Sequence, residues 1–200
     1  MKRANVLFVA LFVVFAFVSA KAQNNFAVGA SLPDFTLSDT NGKSQSFNSL
    51  KGKNGTVLIF LSAQCPVVKG YNERINQIAA DYQAKGINFV GINSNATESL
   101  DWVKSDAAEV GYKFPVLIDK GNVWADKLGA TVTPEVYFFD EKNALLYHGA
   151  IDNDRSGKNV SEHILRAAFD SKLSGKAIAK TKSNAFGCSI KRVENKPADE

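Results

Sequence analysis

The middle of the chain alternates between short apolar runs and longer stretches with helical spacing. "TVLIFLS" is continuous in its apolar character, which predicts a central strand buried on both faces. Behind it, Tyr71, Ile75, Ile78, Ala79 and Tyr82 fall at i, i+4, i+7, i+8 and i+11. Glu73, Arg74, Asn76 and Gln77 lie between them, so the segment predicts an amphipathic helix, ended by Gly86. "INFVGIN" predicts a second buried strand. Thr97 is the expected N-cap of a helix from about Glu98 to Glu109. "FPVLID" follows as a strand, then a short helix around Val123–Leu128. "EVYFFD" and "ALLYHGAI" predict two strands joined by the turn "EKN", and Ile164, Leu165, Ala168, Phe169 and Leu173 form the stripe of a last helix.

Upstream, residues 23–33 read as an extended lead-in. "DFTLSDTNGKSQSF" then places two short alternating runs around Asn41-Gly42, a hairpin signal. Strands alternating with helices imply a parallel core, and the closing hairpin adds antiparallel strands. The expected class is therefore α/β, a mixed central sheet with helices on both faces and an N-terminal β-hairpin. Residues 23–175 make up this domain. From 176 to 200 the periodicity is lost, and the segment reads as an irregular tail carrying Cys188.

The N-terminus has a different character. Lys2 and Arg3 precede "VLFVALFVVFAFV", thirteen uncharged residues, and Ala20 and Ala22 then stand in a small-x-small arrangement. This pattern predicts a signal peptide over residues 1–22, cleaved after Ala22, and a secreted or periplasmic protein. Thirteen helical residues rise only about 20 Å, short of a ~30 Å hydrocarbon core. Losing Lys2, Arg3 and Lys21 leaves 21 basic against 20 acidic residues. With that balance and no basic patch, neither nucleic acid nor a membrane surface is an expected partner of the mature chain. No glycine-rich phosphate loop and no pair of metal ligands at helical spacing occurs, so no cofactor and no metal is expected.

The candidate chemistry lies in "LSAQCPVVKG". If the strand ends near Ser62 and the helix begins at Pro66, Cys65 is the helix N-cap, with proline at the first helical position. The unpaired N–H groups and the dipole of that turn stabilise an anion, which lowers the thiol pKa and raises the thiolate fraction. Lys69, one turn on, adds positive potential. The plainer reading is a small buried residue ending a core strand.

Together "LPDFTLSDTNGKSQSF", "TVLIFLSAQCPVVKGY", "FPVLIDKGNVWADKLGATVTPEVYFFD" and "HGAID" resemble the redoxin branch of the thioredoxin superfamily, the group of alkyl hydroperoxide reductase and thiol-specific antioxidant proteins. The resemblance is strongest to peroxiredoxin-like exported proteins with a single Cys-Pro-x-x-Lys site and a late "FGCSIK" cysteine, and it covers roughly residues 28–190. It implies a thioredoxin-like fold and a thiol-based oxidoreductase with Cys65 as nucleophile. It also implies a cis Thr133–Pro134 bond facing Cys65, with Thr133 and Pro134 lining the substrate groove.

Three departures qualify the resemblance. Val68 stands where thioredoxin has its second cysteine, so a local Cys-x-x-Cys exchange is excluded. Ser62 occupies the threonine position of typical peroxiredoxins, where its hydroxyl is expected to bond substrate or thiolate, but Leu58 replaces their proline. Ile59 replaces the buried acid of thioredoxin. The resolving partner implied by the resemblance is Cys188, 123 residues downstream; closing a loop of that length costs entropy only logarithmically. A static disulfide or an unpaired Cys188 are the other possibilities.

The expected substrate is a peroxide or a protein or small-molecule thiol or disulfide, with an unidentified reductant. Two other classes compete. Cys65, Cys188 and His148 would suit a soft ion such as Cu(I) in a copper-binding module. A non-catalytic thioredoxin fold would bind a partner beside Pro134; replacing Cys65 by serine separates a binder from an enzyme. Glu135 reads as a rim charge, Arg155 as a turn residue, Trp102 and Trp124 as packing residues, and His163 as solvent-exposed.

Overall fold

The computed structural model describes residues 26–194, so the predicted signal segment 1–22 lies outside the described residues. The chain enters through the hairpin β1 (Thr36–Asp39) and β2 (Ser44–Ser46), which turns at Asn41-Gly42. Asp39 closes that turn, accepting the backbone N–H groups of Asn41 and Lys43 at 2.9 and 3.0 Å. The central elements are β3 (Gly55–Leu61), α1 (Pro66–Gln83), β4 (Ile87–Asn93), α2 (Leu100–Val110), β5 (Val116–Ile118) and α3 (Val123–Leu128). Then come β6 (Val132–Thr133), β7 (Glu135–Phe139), β8 (Leu145–Gly149), α4 (Ile164–Leu173) and β9 (Cys188–Ser189).

Seven strands form one mixed sheet in the order β2-β1-β5-β4-β3-β7-β8. β3 pairs parallel with β4 and antiparallel with β7, and all seven of its residues are buried. The strand period of two sends Val57, Ile59 and Leu61 to one face, against α1 and α4. Leu58 and Phe60 face the other layer, formed by α3, the N-terminal arm and a 3-10 turn at Phe47–Leu50. On α1, the five predicted core positions are all buried, and Val67 and Val68 join them.

Two details differ from the sequence reading. The N-cap of α2 is Ser99, whose hydroxyl accepts the Trp102 N–H at 3.3 Å; Thr97 lies outside the helix. Trp102 is 50% exposed, whereas Trp124 is buried and stacks on Phe35 at 4.1 Å. His163 is exposed, at the start of α4.

The segment after Gly175 has no helix among its described residues, yet it is firmly placed. Thr181 and Ser183 bond the backbone of His148, extending the β8 edge. Ser183 packs so closely that a Cβ at Gly149 would run into its backbone. Further on, Ile190 is buried and its N–H reaches the Thr131 carbonyl at 2.9 Å. Asn95 accepts the Lys191 N–H at 3.0 Å, and Asn122 accepts the Val193 N–H at 2.8 Å. Held at both ends, residues 184–188 cross the molecule as a strap over the C-terminal end of β3.

Candidate active site

Cys65 is the N-cap of α1, with Pro66 at the first helical position, and its side chain is 2% exposed. The loop that delivers it, Ser62–Gln64, is organised by Glu98. That carboxylate accepts the Ser62 hydroxyl at 2.5 Å and the N–H groups of Ala63 and Gln64 at 3.0 and 3.1 Å. It also accepts the Asn93 amide at 2.6 Å. Ser62 therefore gives its one hydrogen to Glu98, and its hydroxyl is not a free donor to substrate or thiolate.

Facing Cys65 is the Thr133–Pro134 peptide, which is cis. The Cys65 thiol donates to the Thr133 carbonyl at 3.4 Å. The Thr133 hydroxyl is buried without another partner and is a donor available to a thiolate at Cys65.

Cys188 completes the site. β9 pairs antiparallel with β6, and the register sets Cys188 directly opposite Thr133. Gly187 makes this approach possible, because a Cβ at that position would occupy the Thr133 carbonyl oxygen. Phe186 anchors the strap on the other side, its ring 6.4 Å from that of Tyr71. Both cysteines are free thiols, Cys188 is partly exposed, and the two lie close enough to shift each other's acidity.

The two thiols are driven apart in acidity. Burial pushes the Cys65 thiol up, but hydrogen bonds from the Cys188 side chain, the Val68 N–H, the Thr133 hydroxyl and the Cys188 N–H outweigh it, and its pKa falls below the ordinary value. Cys188 is pushed up by burial, then by its hydrogen bond and charge contact with Cys65; the Val67 N–H and Arg155 work in the other direction. Arg155 thus lies near the site. Its loop is tied to α1 through Arg74, which pairs with Asp152 at 2.6 Å and donates to the Asp154 carbonyl at 2.9 Å. Burial holds the Asp106 carboxyl above its ordinary value, and the nearby charge of Lys69 offsets part of that rise.

Glu135 is not a rim charge. It is 4% exposed and accepts His148 Nε2 at 2.5 Å and the Thr131 and Val132 N–H groups at 2.8 and 3.2 Å. It therefore fixes the strand that leads into Pro134. His148 stacks on Tyr137 at 4.1 Å and is committed to Glu135, so the copper triad of Cys65, Cys188 and His148 is not assembled. Among the described residues no group of three or more His, Cys, Asp or Glu can hold a metal ion.

The structure thus brings together Cys65, Thr133, Pro134 and Cys188, and leaves Ser62 below them as a support. Glu98, Arg74 and Asp152 were not singled out from the sequence as parts of the site. Glu98 had one local signal: an acid closely following a buried strand that ends in Asn93, where unpaired loop N–H groups gather.

The mixed sheet with its flanking helices has the thioredoxin-like fold, with the helix-capping thiol facing the cis-proline at one end of the sheet. The Redoxin family profile matches residues 27–164, and the chain belongs to that family. Thiol-disulfide oxidoreductase ResA of Bacillus thuringiensis (strain Al Hakam) is 29% identical over 114 residues, 57% of this chain and 64% of that protein. The chain thus spans a little under two thirds of that relative's length. A hypothetical protein of Sinorhizobium meliloti 1021 is 34% identical with a TM-score of 0.79, covering 86% of this chain and 98% of that one. An uncharacterized conserved protein from Geobacillus kaustophilus is 33% identical with a TM-score of 0.80, covering 86% and 96%. Cys188 lies beyond the segment matched by the family profile.

Proposed function

We propose that the protein is an exported thiol-dependent oxidoreductase that cycles Cys65 and Cys188 between dithiol and disulfide. One observation carries this reading: the β6–β9 pairing sets Cys188 opposite Thr133, whose carbonyl is 3.4 Å from the Cys65 sulfur at the start of α1. The redoxin family and a ResA-type relative support the same class of chemistry.

The Cys65 thiolate attacks one sulfur of a disulfide R–S–S–R′ and expels R′–S⁻, leaving Cys65–S–S–R. Cys188 then loses its proton to solvent, attacks the Cys65 sulfur and expels R–S⁻. Two protein thiols are oxidised, and R–S–S–R′ is reduced to two thiols. The acidity difference suits this order. Burial and the neighbouring Cys65 hold the Cys188 thiol up in the reduced state. Once Cys65 is bonded to substrate sulfur its charge is gone, and that part of the restraint is lifted when Cys188 must ionise. The Val67 N–H and Arg155 then favour the thiolate.

A hydroperoxide is a second oxidant, favoured by the burial of Cys65, which admits small molecules best. Cys65 would take one oxygen as sulfenic acid, releasing an alcohol or water, and Cys188 would condense with it, releasing water. Export rests on the pattern of residues 1–22; no helix among the described residues is long and apolar enough to cross a membrane.

The test is turnover of a small disulfide and of hydrogen peroxide by the mature chain with dithiothreitol as reductant. Cys65→Ser is expected to abolish both. With the small disulfide and no dithiothreitol, Cys188→Ser is expected to stall with substrate sulfur attached to Cys65. Full activity in Cys65→Ser overturns the assignment of Cys65 as nucleophile, and no turnover by the wild-type chain leaves a binding protein.

A further inference from the structure

We propose that residues 186–190 are a built-in substrate strand that reserves Cys65 for small oxidants and excludes extended polypeptides. This rests on Cys65 being the reactive thiol, as proposed above, and adds which substrates reach it.

β6 is two residues long, and β9 is its partner in a two-stranded sheet separate from the main one. An extended peptide docks on a strand by adding its own backbone to an open edge. For a peptide cysteine to come to Cys65 in this way, it would have to lie opposite Thr133, whose carbonyl is 3.4 Å from the Cys65 sulfur. That position is filled by Cys188, in register with Thr133. Gly187 is pressed onto the Thr133 carbonyl, and Ile190 is buried with its N–H on Thr131. The strap leaves Cys65 2% exposed.

The strap is also difficult to displace. On one side Ser183 is bonded to His148 and to Ala150; on the other, Asn95 and Asn122 hold Lys191 and Val193. A protein substrate has to break these contacts before it can pair. A low-molecular-weight oxidant has only to reach the sulfur. Access of peptides is thus set by the strap and not by the thiol.

The experiment uses the full mature chain with Cys188→Ser, so that Cys65 is the one remaining thiol. Two probes carry the same 2-pyridyl disulfide: free cysteine and a ten-residue peptide with a central cysteine. Cys65 attacks the cysteine sulfur in each and releases thiopyridone, which is read by absorbance. With the strap in place, the peptide is expected to react at least tenfold more slowly than the amino acid. Adding Gly187→Ala drives a Cβ into the Thr133 carbonyl and lifts the strap. The peptide-to-cysteine rate ratio is then expected to rise at least fivefold. A synthetic peptide of residues 184–193 with serine for its cysteine, added to this double variant, is expected to lower the ratio again.

An unchanged ratio in the double variant, or a peptide that already reacts as fast as cysteine with the strap in place, overturns the proposal. Restoration by the synthetic peptide separates strap release from misfolding, since an unfolded chain has no edge to refill. The wild-type disulfide map tests the two-cysteine cycle separately, so either idea can fail alone.

Discussion

Replacing Glu98 by alanine is expected to be among the most damaging single changes near the site, although its hydrogen bonds go to the loop before Cys65 and to Asn93 and not to either cysteine. The carboxylate takes four donors: the Ser62 hydroxyl, the Ala63 and Gln64 N–H groups and the Asn93 amide. Ser62, Ala63 and Asn93 are 5%, 3% and 4% exposed. A buried donor left without an acceptor costs about 1–3 kcal/mol. Glu98 is itself only half-buried, so water entering the vacated space relieves part of this. About 1 kcal/mol for each of the three buried donors gives a loss of ~3 kcal/mol. At an m-value of ~2 kcal/mol/M, the urea midpoint falls by about 1.5 M with m unchanged. Glu98→Gln keeps the shape and one acceptor oxygen but turns an amino group toward the donors, so its loss is expected to lie between wild type and alanine. The loop that presents Cys65 loosens with it, and Cys65–Cys188 closure slows in the same order. A midpoint within about 0.3 M of wild type for Glu98→Ala refutes the argument that this carboxylate organises the redox loop.

Further outcomes follow from the same contacts. Alkylation of Cys65 with iodoacetamide, followed against pH by mass, should reach half its maximal rate below the pH found for free cysteine; Cys188→Ala removes a side-chain donor that favours the thiolate and should move that midpoint upward. A downward movement contradicts the assignment. Asn122→Ala loses its bonds to the Ser94 and Lys191 carbonyls and the Val193 N–H, so amide exchange over residues 188–193 should accelerate at least tenfold while β3 keeps its protection. Glu135 is raised by burial but pulled down further by His148 and the Thr131 and Val132 N–H groups, so its folded pKa lies below the ordinary carboxylate value. Its contribution to stability is present above about pH 4.3 and is lost as pH falls through the folded value. Glu135→Gln should therefore flatten the acid limb of stability against pH, and an unaltered limb would show that this carboxylate does not control it.

Periodicity carried most of the fold, because buried runs such as "TVLIFLS" and the α1 stripe depend on local spacing alone. Cys65 at the helix cap was readable for the same reason: strand, cysteine, proline and helix are consecutive. The supports of the site were not. Glu98 lies 36 positions from Ser62, and its burial depends on how β3, β4 and α2 converge. Glu135 read as a surface charge because its partner His148 arrives from the next strand. The tail lacked periodicity because its order comes from side chains elsewhere, Asn95, Asn122 and Thr131 among them, and not from its own repeating pattern. Thr97 and Ser99 are both acceptable caps, and propensity alone does not choose between them; Ser99 holds the cap while its neighbour Glu98 bonds the redox loop.

The most direct test of the account is a redox titration of the mature protein in glutathione buffers, quenched in acid and mapped by peptide mass. The account predicts one two-electron transition, in which both thiols disappear together and a single cross-linked species joins the Cys65 and Cys188 peptides within one chain. Glutathione attached separately to each cysteine, with no intrachain link at any buffer ratio, would contradict it.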